Sequence, residues 1–335
     1  MSLALQSLQQ GTWVKLICGA SFHHLPSISN LALIYTLAGV DCIDLAADPA
    51  VVKAAQQGIT WAKTLRPDVG IPLLMASFHD GEDPHFRKAR LLDSYCPPNC
   101  PQPCLRVCPP QAIQTQPSTY QVSIQTDLCY GCGRCQPVCP HQLIGTEGYH
   151  LAADRLLPPL LAVGIRALEI HTQPGRLAEF QQLWQHLQPW LRQLHLLSIS
   201  CPDGADLVAY LGSLLTLMQP ADPPPLIWQT DGRPMSGDIG AGTTKATLRL
   251  AQKVAQMGLP GYIQLAGGTN AATLPQIKSD VEIAGIAYGS YARQLVAFAA
   301  DHPNLLAEAD LLQEAIDQAS RLIAPVKSRE YRPHS

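Results

Sequence analysis

The chain has 335 residues, 47% of them hydrophobic and 15% charged, with a formal net charge of −3. That is enough apolar material for one large or two medium cored domains, and it excludes global disorder. The near-neutral balance gives no electrostatic basis for nucleic-acid binding and no polybasic patch for a membrane surface.

The opening residues, MSLALQSLQQ, lack a basic region followed by an apolar one, so no secretory signal is read there. Short β-rich runs then alternate with amphipathic helical stretches. Strand character falls at 14–20, 42–46 and 71–78, with helical runs at 28–38 and 51–65 between them.

The pattern breaks at a block of cysteines. Eight of the eleven lie between Cys96 and Cys139, while Cys18, Cys42 and Cys201 are scattered. Clustering of this kind in a large chain favours metal over disulfides. The second half of the block is Cys129-Tyr-Gly-Cys132-Gly-Arg-Cys135-Gln-Pro-Val-Cys139-Pro140, the bacterial ferredoxin run C-x2-C-x2-C-x3-C-P. Two-residue spacers let three thiolates from one tight loop reach three irons of a cube. Gly131 and Gly133 permit the positive φ angles such a loop needs. The first half, Cys96-Pro-Pro-Asn-Cys100-Pro-Gln-Pro-Cys104-Leu-Arg-Val-Cys108-Pro109, reads C-x3-C-x3-C-x3-C-P. Pro110-Gln-Ala-Ile113 echoes His141-Gln-Leu-Ile144, so the block is an internal duplication.

In a two-cluster ferredoxin the fourth cysteine of each run crosses to the other cluster. The expected sets are Cys96, Cys100, Cys104 and Cys139 for one cluster, and Cys108, Cys129, Cys132 and Cys135 for the second. Both are expected as [4Fe–4S], although the stretched first run also admits a [3Fe–4S] form. The alternative is zinc, which suits C-x2-C pairs but seldom packs three cysteines at this spacing before x3-C-P. Nearby aromatics are Tyr95, Tyr120 and Tyr130.

After the block the alternation resumes. Helical runs at 156–164, 177–191, 207–218, 245–257 and 271–278 separate strands at 167–171, 194–199, 226–229, 262–265 and 283–288, and a helical tail runs from 291 to about 323. The apolar run at 156–165 is interrupted by Pro158 and Pro159, so no stretch reaches the roughly 18 residues of a membrane span. A cytoplasmic protein is expected. Removing 80–150 leaves roughly 265 residues, near the ~250 of a (β/α)8 barrel. The reading is therefore an α/β chain: a TIM-like barrel with an inserted ferredoxin-like (α+β) unit after the third strand. Its parts are 1–79 and 151–325 for the barrel, 80–150 for the insertion and 326–335 for a tail. That tail, with Lys327-Ser-Arg-Glu-Tyr-Arg332, reads as a solvated end.

Polar residues gather at the strand ends, including Asp44, Ser77, His79, His171 and Asp231. Gly267, Gly268 and Thr269 after the seventh strand, and Gly289 and Ser290 after the eighth, stand where barrels often hold a phosphate. A flavin mononucleotide (FMN) or a sugar phosphate would fit there; tight turns would need the same glycines. The loop Asp231 to Asp238 reads as a lid or a solvated loop. The histidines show no H-x-x-x-H or H-E-x-x-H pairing, so no second metal site is indicated. Cys18, Cys42 and Cys201 read as buried small side chains.

With these residues in view, the chain resembles the cyanobacterial light-dependent-period family of iron–sulfur proteins of the circadian system. The segments that carry the likeness are Trp13-Val-Lys-Leu-Ile-Cys-Gly-Ala-Ser-Phe22, Asp41-Cys-Ile-Asp-Leu-Ala-Ala47, the two cysteine runs, and the part from Leu156 onward. The resemblance implies a redox-sensing role that reports light to the clock input pathway. It implies an input histidine kinase and a KaiA-type clock protein as partners. A quinone or ferredoxin pool would set the redox state, and Arg106, Arg134 and His141 are residues able to report it. The competing expectation is an iron–sulfur oxidoreductase, in which the insertion wires electrons to a flavin or substrate at the barrel mouth.

Overall fold

The computed structural model describes residues 3–329 except 82, 93–95, 117–120, 149–151, 219–223, 234–239 and 279–280. After a helix α1 (Leu3–Gln9) come β1 (Trp13–Ile17), α2 (Leu25–Ala38), β2 (Cys42–Ala46), α3 (Pro49–Leu65) and β3 (Leu73–His79). A 3-10 turn (Pro84–Phe86) opens the inserted stretch, followed by β4 (Arg87–Leu91), α4 (Pro103–Val107) and β5 (Ile113–Thr115). The insertion closes with β6 (Val122–Ile124), α5 (Cys135–Val138) and β7 (Ile144–Gly148). Alternation resumes with α6 (Ala153–Ala162), β8 (Ala167–His171), α7 (Leu177–Leu187), β9 (Leu196–Pro202), α8 (Leu207–Leu217) and β10 (Leu226–Asp231). Then follow α9 (Thr244–Ala255), β11 (Tyr262–Ala266), β12 (Gly285–Tyr288), α10 (Ser290–Leu295), α11 (Ala297–Ala300) and α12 (Ala309–Lys327).

The strands outside the insertion form a closed parallel barrel in the order β1-β12-β11-β10-β9-β8-β3-β2. β3 pairs directly with β8, with His79 opposite His171, so the insertion leaves the barrel wall unbroken. Closure between β1 and β12 brings Gly285 against Trp13; a Cβ there would lie 2.3 Å from the Trp13 carbonyl oxygen, so only glycine fits.

Strand periodicity of two sorts the interior into layers. At the bottom, Trp13, Cys42, Met75, Ala167, Leu196 and Ile227 form an apolar floor, capped by Ala4 and Leu8 of α1. Two residues further along each strand stand Lys15, Asp44, Ser77, Glu169, Ser198 and Gln229, all buried. The middle of the barrel is thus ionic and hydrogen-bonded, where barrels of this class usually carry branched aliphatic side chains. A further step of two reaches the mouth, with Ile17, His79, His171, Ser200 and Asp231.

Within the insertion the strand pairs nest. β5 pairs with β6 and β4 with β7, both antiparallel. α4 lies between β4 and β5, and α5 between β6 and β7, so each half contributes one cysteine run and one short helix.

Three sequence expectations are corrected. The helix expected at 271–278 is only a 3-10 turn at Leu274–Gln276. Pro275 stands two residues after Thr273 there, and the Asn270 and Thr273 side chains accept from the Ala272 and Asn270 amides, drawing the backbone into a turn. The tail helix is interrupted between Ala300 and Ala309, around Pro303. Lys327 and Arg329 are half-buried and tethered rather than free: the Lys327 ammonium bonds Asp41 Oδ2 at 2.5 Å, and Arg329 donates to the Ile283 carbonyl at 2.9 Å. These bonds anchor the end of α12 to the barrel floor; 330–335 lie outside the described residues.

Candidate cluster site and barrel mouth

Each cysteine run is a loop closed by a short helix. Gly131 and Gly133 adopt φ of 72° and 75°, as the tight three-cysteine loop requires. The duplication extends to the backbone: Gln111 and Gln142, each three residues after the fourth cysteine of its run, both take the left-handed conformation, at φ 50° and 53°. Their amides donate to the Cys108 and Cys139 carbonyls, both at 3.1 Å. Two copies of one loop thus exist despite their different spacers.

The thiols interact within two sets of four. Burial raises the Cys96 thiol, and Cys100 and Cys139 raise it further. Burial and then Cys96, Cys139 and Cys100 raise Cys104. Cys108 is raised by burial and by Cys132 and Cys129, against donation from the Ile113 and Ala112 amides. Cys135 is pushed up to about 12 by burial and by Cys132, Cys129 and Cys108. Cys139 thus acts on Cys96 and Cys104, and Cys108 interacts with Cys129, Cys132 and Cys135. Four converging thiols resist ionising together, and a positively charged iron core relieves that repulsion. Backbone amides already point at sulfur: Ala89 N–H at Cys129 Sγ and Leu143 N–H at Cys139 Sγ, both at 3.3 Å. The donor set fits an iron–sulfur group.

The second loop is joined to the barrel. The Tyr130 ring meets Phe22 edge-on at 5.9 Å, and the Arg293 guanidinium lies 4.4 Å from the Tyr130 centroid. Arg293 also donates to the Ile17 carbonyl at 2.7 Å and lines the barrel mouth. Tyr95 and Tyr120 lie outside the described residues.

All five residues of the candidate phosphate site, Gly267, Gly268, Thr269, Gly289 and Ser290, line one mouth cavity with about 780 Å³ of atom-free space, open to solvent. Packing alone accounts for two of them: a Cβ on Gly267 would lie 1.9 Å from Asp231 Oδ1, and one on Gly268 2.7 Å from the Thr243 carbonyl. The Thr269 hydroxyl donates to the Ala287 carbonyl at 2.5 Å, and Ser290 accepts from Arg293 at 3.1 Å. Arg233 and Arg293 bring positive charge to the same wall. Most of the expected lid, from Pro234 to Asp238, falls outside the described residues.

Below and beside this cavity runs a chain of buried charges. Lys15 pairs with Glu169, which also accepts from Ser198 at 2.8 Å and Gln229 at 2.7 Å. Burial would pull the Lys15 ammonium toward neutrality, but Glu169 and Asp44 outweigh it and hold its pKa above the ordinary value. Burial likewise opposes ionisation of Glu169, yet Lys15 and His171 hold it well below the usual carboxylate range. His171 reaches Glu169 at 3.1 Å and Asp83 at 3.5 Å, and Asp83 lies 2.7 Å from His85. His85 faces Asp231 at 3.5 Å. Asp83 and His85 come from the first turn of the insertion, so the inserted unit plugs polar groups into the mouth. No spacing in the sequence marked this cluster.

The three lone cysteines are buried: burial raises Cys18 to about 12 and lifts Cys42 and Cys201 well above the ordinary thiol value. None is a ready nucleophile. Among the described residues no helix is long and apolar enough to cross a membrane.

Barrel and thiol sets together define an iron–sulfur cluster-binding protein built on a TIM barrel. Residues 96–150 match the LdpA Fe-S cluster-binding domain, and residues 160–325 match the Light dependent period A C-terminal domain. Across 97% of its length the chain is 49% identical to Light dependent period A of Synechococcus elongatus, covering 94% of that protein. The chain belongs to the light dependent period A family. Over 46 residues it is also 41% identical to a ferredoxin of Alicyclobacillus acidocaldarius, which spans 14% of this chain and 56% of the ferredoxin. Among solved structures it is similar to the YdjI aldolase of Escherichia coli K12, at 7% identity and a TM-score of 0.49, covering 98% of this chain and 96% of the aldolase.

Proposed function

We propose that this protein is a redox sensor in light-dependent period control, carrying two [4Fe–4S] clusters in the insertion and acting through protein partners. The observation that supports this reading is the convergence of the two cysteine runs within the matched cluster-binding domain, which we divide into Cys96, Cys100, Cys104, Cys139 and Cys108, Cys129, Cys132, Cys135. Bound clusters supply one-electron carriers. The residues around them translate the change of one charge into a changed surface: Arg106 and His141 are exposed beside the loops, and Arg134 is half-buried between Gly133 and Cys135. A redox state shifts a partner only through the difference in binding between its two forms. The partners proposed are an input histidine kinase and a KaiA-type clock protein, with the quinone or ferredoxin pool as electron source, in the cytoplasm.

The test is anaerobic binding of each partner to oxidised and to dithionite-reduced protein. The reading expects affinities that differ by at least about fivefold, the lower range of allosteric coupling; equal affinities overturn it. One observation favours a second reading, an electron-transfer oxidoreductase: the mouth cavity is walled by Arg233 and Arg293 beside Gly267, Gly268 and Ser290, a setting for FMN or another phosphate-bearing ligand. A yellow cofactor released on denaturing anaerobically purified protein is its expected signature.

A further inference from the structure

We propose that Asp83, His85 and His171 bind a divalent transition-metal ion at the barrel mouth, separate from the iron–sulfur sets. One ligand atom from each residue falls within a group no wider than 4.8 Å. Asp83 Oδ1 stands 2.7 Å from His85 Nδ1, and Asp83 Oδ2 stands 3.5 Å from His171 Nδ1. Ligand atoms around a tetrahedral ion with ~2.1 Å bonds sit about 3.4 Å apart. Asp83 and His171 already have that spacing, and the 2.7 Å contact of Asp83 with His85 would widen to admit the ion.

The surroundings are those of metal-binding histidines rather than of a simple ion pair. Such a histidine usually gives its far nitrogen to a carboxylate, which fixes the tautomer and strengthens the ligand. His171 does so here, its Nε2 lying 3.1 Å from Glu169 Oε1, and His85 Nε2 faces a carboxylate at longer range, 3.5 Å from Asp231 Oδ2. Glu169 is itself held by Lys15, Ser198 and Gln229, so the outer layer is rigid. The ring of Phe86 meets His171 edge-on at 5.4 Å and holds it in place.

A second observation points to a cation. Asp231 is 5% exposed, and its Oδ1 is buried in the cavity wall with no hydrogen-bond partner among the described residues. Asp44, Asp83, Glu169 and Asp231 place four carboxylates in one region, with Lys15 below and Arg233 and Arg293 across the cavity, so a divalent ion there meets a carboxylate-rich environment. Two histidines and one carboxylate with an accessible cavity on the remaining side suit zinc or ferrous iron. The site goes beyond the cluster-based function and stands whether or not that function holds.

The probe is zinc, which outcompetes ferrous iron at such ligands. Full-length protein with its clusters intact is equilibrated anaerobically with zinc, then analysed by mass spectrometry of metals and by X-ray absorption at the zinc edge. The expected result is one zinc per chain with a nitrogen and oxygen shell near ~2.0–2.1 Å and no sulfur. His85→Gln and His171→Gln are each expected to weaken zinc binding by at least about tenfold, and Asp231→Asn by about tenfold, in the range for lost outer partners. No retained zinc overturns the proposal and leaves a hydrogen-bonded His–Asp–His chain. A sulfur shell near ~2.3 Å, which would place zinc on the cysteines, also overturns it, as does unchanged binding in folded histidine variants. Should a variant misfold, the wild-type absorption spectrum decides.

Discussion

The barrel buries entire strands, such as Leu196 to Ser200, together with the packed faces of α2 and α12. Among the described residues the insertion buries eight side chains in its own core: Ala89, Cys104, Ala112, Ile113, Val122, Cys129, Cys135 and Ile144. Three of those eight are cysteines, and the strands β5 and β6 are three residues each. A unit with so little apolar area cannot offset its chain entropy by burial alone. Ligation must hold it, whereas the barrel has enough burial to tolerate charges at its centre. The two regions therefore differ in what they depend on, and that difference can be broken experimentally.

The largest effect is expected from removing iron with a chelator. Hydrogen exchange should then show amides of β4, β5, β6 and β7 exchanging more than about 100-fold faster, while β1, β9 and β10 keep their protection, because metal binding here is folding energy. Equal loosening of both regions would refute the separation.

Cys139→Ser should cost one cluster and about half the iron, since the crossed pairing assigns Cys139 to the set of Cys96, Cys100 and Cys104. Electron paramagnetic resonance of the reduced protein should retain the signal of the other set. Loss of the cluster of Cys129, Cys132 and Cys135 instead would mean that the runs do not cross.

Within the barrel, Glu169→Leu leaves the Lys15 ammonium buried without its closest partner. Breaking a buried pair in this way costs about 3–5 kcal/mol, measurable by urea unfolding. Cluster content should be unchanged in the folded variant, because Glu169 belongs to the barrel layer and not to the thiol sets. The smallest effect concerns the junction. Arg293→Met removes the cation over Tyr130 together with the bonds to Ile17 and Ser290, and should cost about 1–3 kcal/mol. Removing positive charge from beside the second loop should also make that cluster harder to reduce, read as a more negative midpoint.

Much of this was legible beforehand. Cys42–Ala46 and Ala167–His171 read directly as strands because runs buried on both faces carry β-favouring side chains between breakers. The iron–sulfur motif was legible because ferredoxin spacing encodes loop geometry locally. α1 was not, since seven residues of LALQSLQ carry too weak a period to stand out from an N-terminal coil. Asp83, His85 and His171 were not, because 86 positions separate His85 from His171 and only barrel closure brings the 3-10 turn beside the end of β8. The ionic middle layer escaped for a related reason: Lys15 inside an apolar run reads as a snorkelling surface residue until Glu169 is known to face it.

The most direct measurement is an anaerobic redox titration of the purified full-length protein with iron and sulfide counted in the same sample. Two [4Fe–4S] clusters predict about eight irons and eight sulfides per chain and reversible one-electron transitions. Zinc in place of iron, or clusters that cannot be reduced at any accessible potential, would contradict the account and leave the insertion a structural unit.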